Sequence, residues 1–274
     1  MLDISKKSLL LGGLLLVAFI GIGYTLFMSP EPIKIPVVSD NMESESEVVA
    51  ASLPKVTPIE HASFYLEWGD EVIYFDPVGE VADYSAYPKP TAIFITDIHG
   101  DHLNKDVIAA LLSEGVDLIV PAVVKDELPT DLATRATVME NGAVFAFRDI
   151  TITAVPMYNL PGDSEKFHIS GRGNGYVLER DGVRVYNAGD TAGTPEMKAL
   201  EDIDVAFVPM NLPYTMDIAE AAEAVLAFAP KVVYPFHYRG PDGLSDVEAF
   251  KAMVTTANPN IEVVLAKWYP EAAE

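Results

Sequence analysis

The pattern of hydrophobic and polar positions divides the chain into a membrane-type segment, a polar segment and a long globular segment. Residues 8–28 are almost entirely apolar, a length that suits one membrane-spanning helix. Lys6 and Lys7 precede this run, and a stretch rich in proline, serine and glutamate follows it. The pattern predicts a short basic N-terminus over 1–7, a transmembrane signal anchor over 8–28, a flexible acidic linker over 29–54 and a folded domain over 55–274.

Two details predict how the apolar segment is used. No small-residue cleavage site follows it, so we expect an anchor that is not removed. Lysines before the run, and acids such as Asp40 and Glu43 beyond it, favour an N-terminus inside the cytoplasm. We therefore expect a membrane-anchored protein whose folded domain lies outside the cytoplasm, on the periplasmic or extracellular side.

From residue 55 onward, short apolar runs bounded by turn residues alternate with segments of helical periodicity. Both halves of this region follow the same order: hairpin, strand, acid-bearing turn, helix. This order predicts an α/β (α+β) fold in which two mixed sheets face each other with helices outside. Predicted helices cover 105–112, 195–200, 217–228 and 245–255. Predicted strands cover 57–68, 71–77, 92–96, 118–120, 137–139, 143–147 and 151–155 in the first half, and 175–180, 183–186, 204–208, 232–235 and 261–265 in the second.

The segment after the buried run 92–95 is the strongest candidate for chemistry. It places two imidazoles and two carboxylates within six residues, namely Asp97, His99, Asp101 and His102. Imidazole nitrogen and carboxylate oxygen together suit zinc, manganese or iron. A solvated loop that caps the next helix through Asn104 would explain the same residues without a metal.

The remaining histidines favour the metal site. The chain has five histidines, and His61, His168 and His237 each lie beside a predicted turn or strand end. Active-site groups are often carried at such positions. Asp190 adds a further acid in a turn that follows a predicted strand.

Charge and cysteine content narrow the function classes. With 18 basic and 41 acidic residues, the formal net charge is −23, which argues against a large basic surface for nucleic acid. The absence of cysteine excludes disulfides, thiolate metal sites and cysteine nucleophiles. A small substrate remains compatible with this composition.

The motifs stand in an order that resembles the metallo-β-lactamase superfamily. Its usual fingerprint is His-x-His-x-Asp-His, a further His, an Asp in a Gly-Asp-Thr turn, and a final His. The corresponding residues here are 97–102, His168, Gly189-Asp190-Thr191 and His237. Segments 61–63, 75–77, 171–176 and 186–191 make the chain similar to the branch that includes the L-ascorbate phosphate lactonases. The resemblance covers nearly all of 57–268 and implies a four-layer αβ/βα sandwich.

This resemblance implies one or two divalent ions, zinc first, with manganese or iron as alternatives. The ligands it implies are Asp97, His99 and His168 for the first ion and Asp101, His102 and His237 for the second, with Asp190 reaching both. Asp101 and Asp190 would take part in catalysis, Asp101 as a proton acceptor. Aspartate replaces the first histidine of the fingerprint at Asp97. Asn159 stands where many relatives carry the middle histidine, so either Asn159 or His168 takes that role.

Further polar residues are candidates for substrate binding or for support behind the ligands. Those for substrate binding are Asn159, Arg172, Asn211, Tyr214 and Arg239. Either arginine would grip a carboxylate or phosphate through forked hydrogen bonds, and a surface ion pair is the alternative for each. His61 and Asp76 are the candidates for supporting the ligands. A structural histidine explains His61 equally well, and for Asp76 the ordinary strand-ending turn is the favoured explanation.

We therefore expect a metal-dependent hydrolase that cleaves an ester, lactone or phosphodiester bond of a small or lipid-like substrate. An iron-binding redox protein on the same fold is one alternative. A catalytically silent, membrane-tethered binding protein is the other, and it rests on Asp97 and Asn159. The oligomeric state stays open.

Overall fold

The structure is a computed structural model that describes residues 52–162 and 164–269. Predicted segments 1–7 and 8–28, and most of 29–54, lie outside these residues. Within the described ranges, no helix is both long enough and apolar enough to cross a membrane. The membrane anchor therefore stays a prediction from the sequence.

Two mixed β-sheets form the domain, as predicted. The first sheet has six strands in the order of the chain. These are β1 (Lys55–Glu60), β2 (Ser63–Trp68), β3 (Glu71–Phe75), β4 (Ala92–Phe94), β5 (Asp117–Val120) and β6 (Ala136–Val138). Strands β1 to β3 pair antiparallel, and β3 to β6 pair parallel. The parallel strands therefore direct their carboxyl ends to one edge of the sheet.

The second sheet has seven strands in the order β15-β12-β11-β10-β9-β8-β7. They are β7 (Val144–Phe147), β8 (Ile150–Met157), β9 (Gly173–Arg180), β10 (Val183–Asn187), β11 (Val205–Pro209), β12 (Val232–Phe236) and β15 (Glu262–Val263). Strands β10, β11, β12 and β15 are parallel, and β7 to β10 are antiparallel. A separate two-stranded hairpin contains β13 (Arg239–Gly240) and β14 (Gly243–Leu244).

In the described part of the chain, six short helices connect the strands, with one 3-10 segment at Val81–Ala86. The helices are α1 (Lys105–Leu111), α2 (Ala122–Glu127), α3 (Thr130–Ala133), α4 (Pro195–Lys198), α5 (Ile218–Phe228) and α6 (Val247–Ala257). Asn104 caps α1 by accepting from the backbone N–H groups of Asp106 and Val107, both at 3.1 Å. This cap confirms that the loop after the motif caps the next helix, as the metal-free explanation proposes. Asn104 is not one of the candidate ligands, so the cap is compatible with a metal site at residues 97–102.

The core between the sheets is rich in aromatic side chains. Phe64 on β2 is fully buried and stacks on Phe75 of β3 and on Phe207 of β11, with ring centroids 4.7 and 4.2 Å apart. Trp268 meets the same ring edge-on at 5.7 Å. A second apolar cluster packs α1, α2 and α3 on the other face of the first sheet. Burial on both faces explains why the central strands are almost uniformly apolar.

The predicted secondary structure needs correction at three points. Residues 57–68 form two strands, because the chain turns at His61, whose φ of 56° is left-handed. Strands β7 and β8 were expected in the first half but belong to the second sheet, since β8 pairs with β9. Helices α2 and α3 were missed. Both are short, and neither is capped by a side chain.

Candidate metal centre

The predicted ligands come from loops at strand ends on one edge of the two sheets. Residues 97–102 follow β4, Asp190 follows β10 and His237 follows β12. His168 lies between β8 and β9. Because parallel strands end at the same edge, residues distant in sequence meet there. Three groups of side chains result, each able to offer three ligand atoms within 4.8 Å of one another.

The first group contains Asp97, His99 and His168. His99 Nδ1 lies 2.8 Å from Asp97 Oδ2, and His168 Nε2 lies 3.9 Å from the same oxygen. Asp97 is fully buried, whereas the His99 side chain is 40% exposed. This group therefore has one ligand open to solvent and two enclosed by protein.

The second group contains His102, Asp190 and His237, all buried. Asp190 Oδ2 lies 3.4 Å from His102 Nε2, and Asp190 Oδ1 lies 3.3 Å from His237 Nε2. Asp190 Oδ2 also lies 3.2 Å from His168 Nε2 of the first group. Asp190 thus stands between the two groups, where one carboxylate can serve both.

The third group shares His237 with the second and adds His61 and Asp101. Asp101 Oδ2 lies 3.3 Å from His61 Nε2 and 3.4 Å from His237 Nε2. Its side chain is 42% exposed, so it faces both the histidines and the solvent. His61 Nδ1 lies 2.7 Å from the hydroxyl of Tyr269, which orients the imidazole towards Asp101.

Asp76 holds His102 in position from behind. Its buried carboxylate accepts hydrogen bonds from the Thr96 backbone N–H at 2.7 Å and the Thr96 hydroxyl at 2.6 Å. It also accepts from His102 Nδ1 at 2.9 Å. In the neutral imidazole, which is the form that binds metal, a proton on Nδ1 leaves Nε2 unprotonated and directed at Asp190 and His237. Metal-binding histidines are commonly oriented this way.

Burial and charge oppose each other in the pKa values of the acids and histidines. Burial lowers the pKa of His102, but the charges of Asp190 and Asp76 outweigh it and hold that pKa well above its ordinary value. Burial raises the pKa of Asp190, and the neighbouring His237 and His102 more than reverse this, so its pKa lies well below the usual range. Asp101 follows the same rule: hydrogen bonds from His237 and His61 overcome burial and lower its pKa. Burial raises the pKa of Asp76 despite the opposing contacts with His102 and Thr96. Burial also lowers the pKa of His61, with help from the charges of His237 and His102 and against the contact with Asp101.

Arg172 is engaged by Asp97 rather than free to meet a substrate. Its Nε and Nη2 donate to the two oxygens of Asp97 at 3.0 and 2.8 Å, and Nη2 also donates to the Phe167 carbonyl. The expectation that Arg172 binds a substrate anion through paired hydrogen bonds is corrected accordingly, because its Nε and Nη2 groups already donate to Asp97. Burial raises the pKa of Asp97, but His99, His102 and Arg172 together lower it below its ordinary value.

Asn159 and His168 occupy different places. Asn159 Nδ2 donates to the carbonyls of Ser164 and Tyr214, at 2.8 and 2.7 Å, and so ties down the loop that carries His168. His168 Nδ1 lies 3.1 Å from the same Tyr214 carbonyl, which leaves its Nε2 facing Asp97 and Asp190. The structure thus brings His168, not Asn159, to the first group. The expectation that Asn159 contacts substrate is corrected, because its side-chain amide instead holds the loop that carries His168.

A cavity of about 340 Å³ opens over the three groups. Its lining consists of His99, Asp101, Phe167, His168, Asp190, Asn211 and Tyr214. Asn211 is buried and its amide lies 2.8 Å from His237 Nδ1, so it supports an imidazole as well as lining the cavity. Arg239 lies elsewhere, paired with Glu60 at 3.2 Å and stacked over Tyr269. The expected substrate contact of Arg239 is therefore corrected to a surface ion pair.

Several contributors were not foreseen in the sequence. Thr96 and Tyr269 orient Asp76 and His61, and Phe167 forms a wall of the cavity. Phe167 directly precedes His168, which is the one signal that pointed to it. His61, Asp76 and His237 all have positive φ, at 56°, 44° and 47°. Non-glycine residues in this strained region cluster at functional sites.

The donor set fits divalent metal ions. His168 Nε2 and Asp190 Oδ1 are buried without a hydrogen-bond partner in the described part of the chain, and both face the centre. Buried polar atoms are rarely left unsatisfied without a reason. Imidazole and carboxylate ligands suit zinc, manganese and iron alike, so the residues do not select one metal.

Comparison with known proteins supports the same family. Residues 55–237 match the family model described as the beta-lactamase superfamily domain. The chain is 32% identical over 210 residues to a UPF0173 metal-dependent hydrolase of Pyrococcus furiosus, covering 73% of this chain and 92% of the relative. A solved structure from Parabacteroides distasonis, described as a metal-dependent hydrolase, has 38% identity and a TM-score of 0.71, covering 79% of this chain and 94% of that one.

The metallo-hydrolase Igni18 of Ignicoccus hospitalis has 25% identity and a TM-score of 0.65, covering 78% of this chain and 94% of that one. These likenesses confirm the broad resemblance found in the sequence, while the narrower likeness to the L-ascorbate phosphate lactonases stays a prediction. The chain therefore belongs to the beta-lactamase superfamily, as a metal-dependent hydrolase of the UPF0173 family.

Proposed function

We propose that the chain uses metal-activated water to hydrolyse an ester, lactone or phosphodiester bond of a small or lipid-like substrate. One observation carries this proposal: seven predicted ligands from four separate loops meet beside one cavity. We propose Asp97, His99 and His168 for a first ion and Asp101, His102 and His237 for a second, with Asp190 between them. Bound metal lowers the pKa of water towards neutrality and polarises the bond under attack.

The chain's own residues supply orientation and proton transfer. Asp76 and the Tyr214 carbonyl hold the Nδ1 protons of His102 and His168, which keeps each Nε2 free as a ligand atom. Asp101 is the carboxylate that is both partly exposed and on the cavity wall. Because it is ionised at neutral pH and reaches the cavity, we assign it the proton released by water, on the ground of its position rather than of its pKa.

The test is metal-dependent turnover by the full chain. The protein would be stripped with a chelator, reloaded with zinc, manganese or iron, and assayed on esters, lactones and phosphodiesters. We expect turnover to return with metal and to be lost in His102→Ala. Asp101→Asn should reduce kcat by about 10² to 10⁴, the usual contribution of a general base. Asp106→Asn, the same change on exposed helix surface, should leave it unaltered.

The same experiment separates the alternatives. An iron-binding redox protein would consume oxygen in proportion to bound iron and leave the panel uncleaved. A silent binding protein would retain metal yet turn over no substrate. Full turnover by His102→Ala would remove the proposed mechanism.

We also propose that residues 8–28 anchor the domain outside the cytoplasm. The support is the apolar run itself, with Lys6 and Lys7 before it. Membrane fractionation with alkaline extraction, followed by protease treatment of intact cells, tests both parts. Release by alkali would contradict the anchor, and protection from protease would contradict the orientation.

A further inference from the structure

The walls of the cavity over the metal centre differ in chemistry. Part of the lining carries the polar atoms of Asp101, Asp190 and the histidines. Another part carries the aromatic rings of Phe167 and Tyr214, packed edge to face with centroids 5.0 Å apart. Phe167 is half-buried and Tyr214 is 37% exposed, so both rings present surface to the cavity. Aromatic surface of this kind binds flat apolar groups.

The aromatic pair is fixed by the same hydrogen bonds that organise the ligands. The Phe167 carbonyl accepts from Arg172, and the Tyr214 carbonyl accepts from Asn159 and faces His168 Nδ1. Both backbones are therefore tied to the metal centre. A preformed wall loses little entropy when a ligand packs on it.

Among the described residues 52–162 and 164–269, no lysine or arginine lines this cavity. Arg172 is committed to Asp97, and Arg239 is paired with Glu60. Lys166 lies near Phe167, with its ammonium 5.1 Å from the ring centroid, and lines a neighbouring cavity with Leu212 and Pro213. The charged side chains in the lining other than histidine are the acids Asp101 and Asp190. Apart from the bound ions and the histidines, the charges that this lining offers a substrate are therefore acidic, and Lys166 lines the neighbouring cavity rather than this one.

We infer that the substrate is an uncharged carboxylic ester or lactone bearing an aromatic or flat apolar group, which packs on Phe167 and Tyr214. This inference rests on the proposed hydrolysis and narrows it, because it sets phosphodiesters aside. In the reaction, the water oxygen bonds to the acyl carbon and the acyl carbon–oxygen bond breaks. Of the two protons of the water, one goes to the oxygen of the leaving alcohol and the other passes through Asp101 to solvent, and the acid is released as carboxylate.

Ligand binding tests the inference without relying on turnover. Butyranilide and succinanilic acid share the anilide ring and a four-carbon acyl chain, and the second adds a carboxylate. Calorimetry on the zinc-loaded full chain should show butyranilide binding at least about tenfold more tightly, because the lining presents Asp101 and Asp190, and no lysine or arginine, to the carboxylate of succinanilic acid. Phe167→Ala should weaken butyranilide about three- to tenfold, the size of one aromatic contact. Phe167→Tyr, which keeps a ring, should not.

Turnover is then measured on the matched esters p-nitrophenyl butyrate and p-nitrophenyl hemisuccinate, with bis(p-nitrophenyl) phosphate beside them. We expect the butyrate to be preferred and Lys166→Gln to leave the preference unchanged. Equal or tighter binding of succinanilic acid, no binding of either anilide, or faster cleavage of the hemisuccinate or phosphodiester overturns the inference. Selective butyranilide binding without cleavage of any ester contradicts the proposed hydrolysis instead.

Discussion

Replacing Asp76 with asparagine changes one buried atom and isolates the support of His102. The Asp76 carboxylate is fully buried, with Oδ1 accepting from the Thr96 backbone N–H and Oδ2 accepting from His102 Nδ1. A backbone N–H only donates, so the amide oxygen of the asparagine must stay at the Oδ1 position. The new NH₂ group then faces His102 Nδ1.

The expected loss of metal affinity in Asp76→Asn follows from a change in the tautomer of the His102 imidazole. Facing a donor, His102 Nδ1 must become an acceptor, and its proton moves to Nε2. That atom lies 3.4 Å from Asp190 Oδ2 and 3.2 Å from His237 Nε2, inside the second ligand group. A protonated Nε2 does not bind metal. Loss of such an outer partner costs roughly 10- to 100-fold in metal affinity, or about 1.4 to 2.7 kcal/mol.

The assay is zinc affinity of the full chain by competition with a chromophoric chelator, with circular dichroism to check the fold. Asp83→Asn provides the matched control, because it removes an exposed carboxylate from the segment Val81–Ala86. We expect weaker zinc binding in Asp76→Asn alone. Wild-type affinity in a correctly folded Asp76→Asn protein, or an equal loss in Asp83→Asn, would refute the reasoning.

Three further outcomes test other parts of the structure. Phe64→Ala should lower the free energy of unfolding by about 3 to 5 kcal/mol in urea denaturation, because Phe64 packs between the two sheets. Phe64→Leu should lower it less, and equal losses in the two variants would argue against this packing. Arg172→Met should destabilise the metal-free protein by about 3 to 5 kcal/mol, since it leaves the buried Asp97 without its arginine and with His99 as its nearest partner. Added zinc should restore part of that loss, and an equal loss with and without zinc would contradict Asp97 as a ligand. Zinc affinity, measured by chelator competition, should fall from pH 8 to pH 6, because the raised pKa of His102 favours a proton that zinc must displace. An affinity that does not change with pH would contradict His102 as a ligand.

The sequence was most informative where chemistry is concentrated within a few residues or follows a strand. The 97–102 segment, Asp190 and His237 each follow a short apolar strand, and parallel pairing brings such ends to one edge. The gaps between predicted strands 57–68 and 71–77, and between 175–180 and 183–186, contain Gly69 and Gly182, which form the hairpin turns with positive φ of 60° and 79° that glycine accepts readily. Local patterns were sufficient for these features.

Other features depend on contacts between residues that are distant in the sequence. Arg172 and Asp97 are 75 positions apart, and nothing local indicates that they pair. The assignment of β8 to the second sheet is decided by its pairing with β9 rather than by its own residues. The turn at His61 was missed because histidine is not a usual turn residue and adopts left-handed φ only where the surrounding structure requires it.

The central claim is that these histidines and aspartates share bound divalent cations. Anomalous diffraction from crystals of the zinc-loaded protein tests it most directly, because the signal locates each ion independently of the assumed ligands. We predict at least one peak among His102, Asp190 and His237, with a second, where present, beside Asp97, His99 and His168. A fully loaded crystal with no peak at either position would contradict the account.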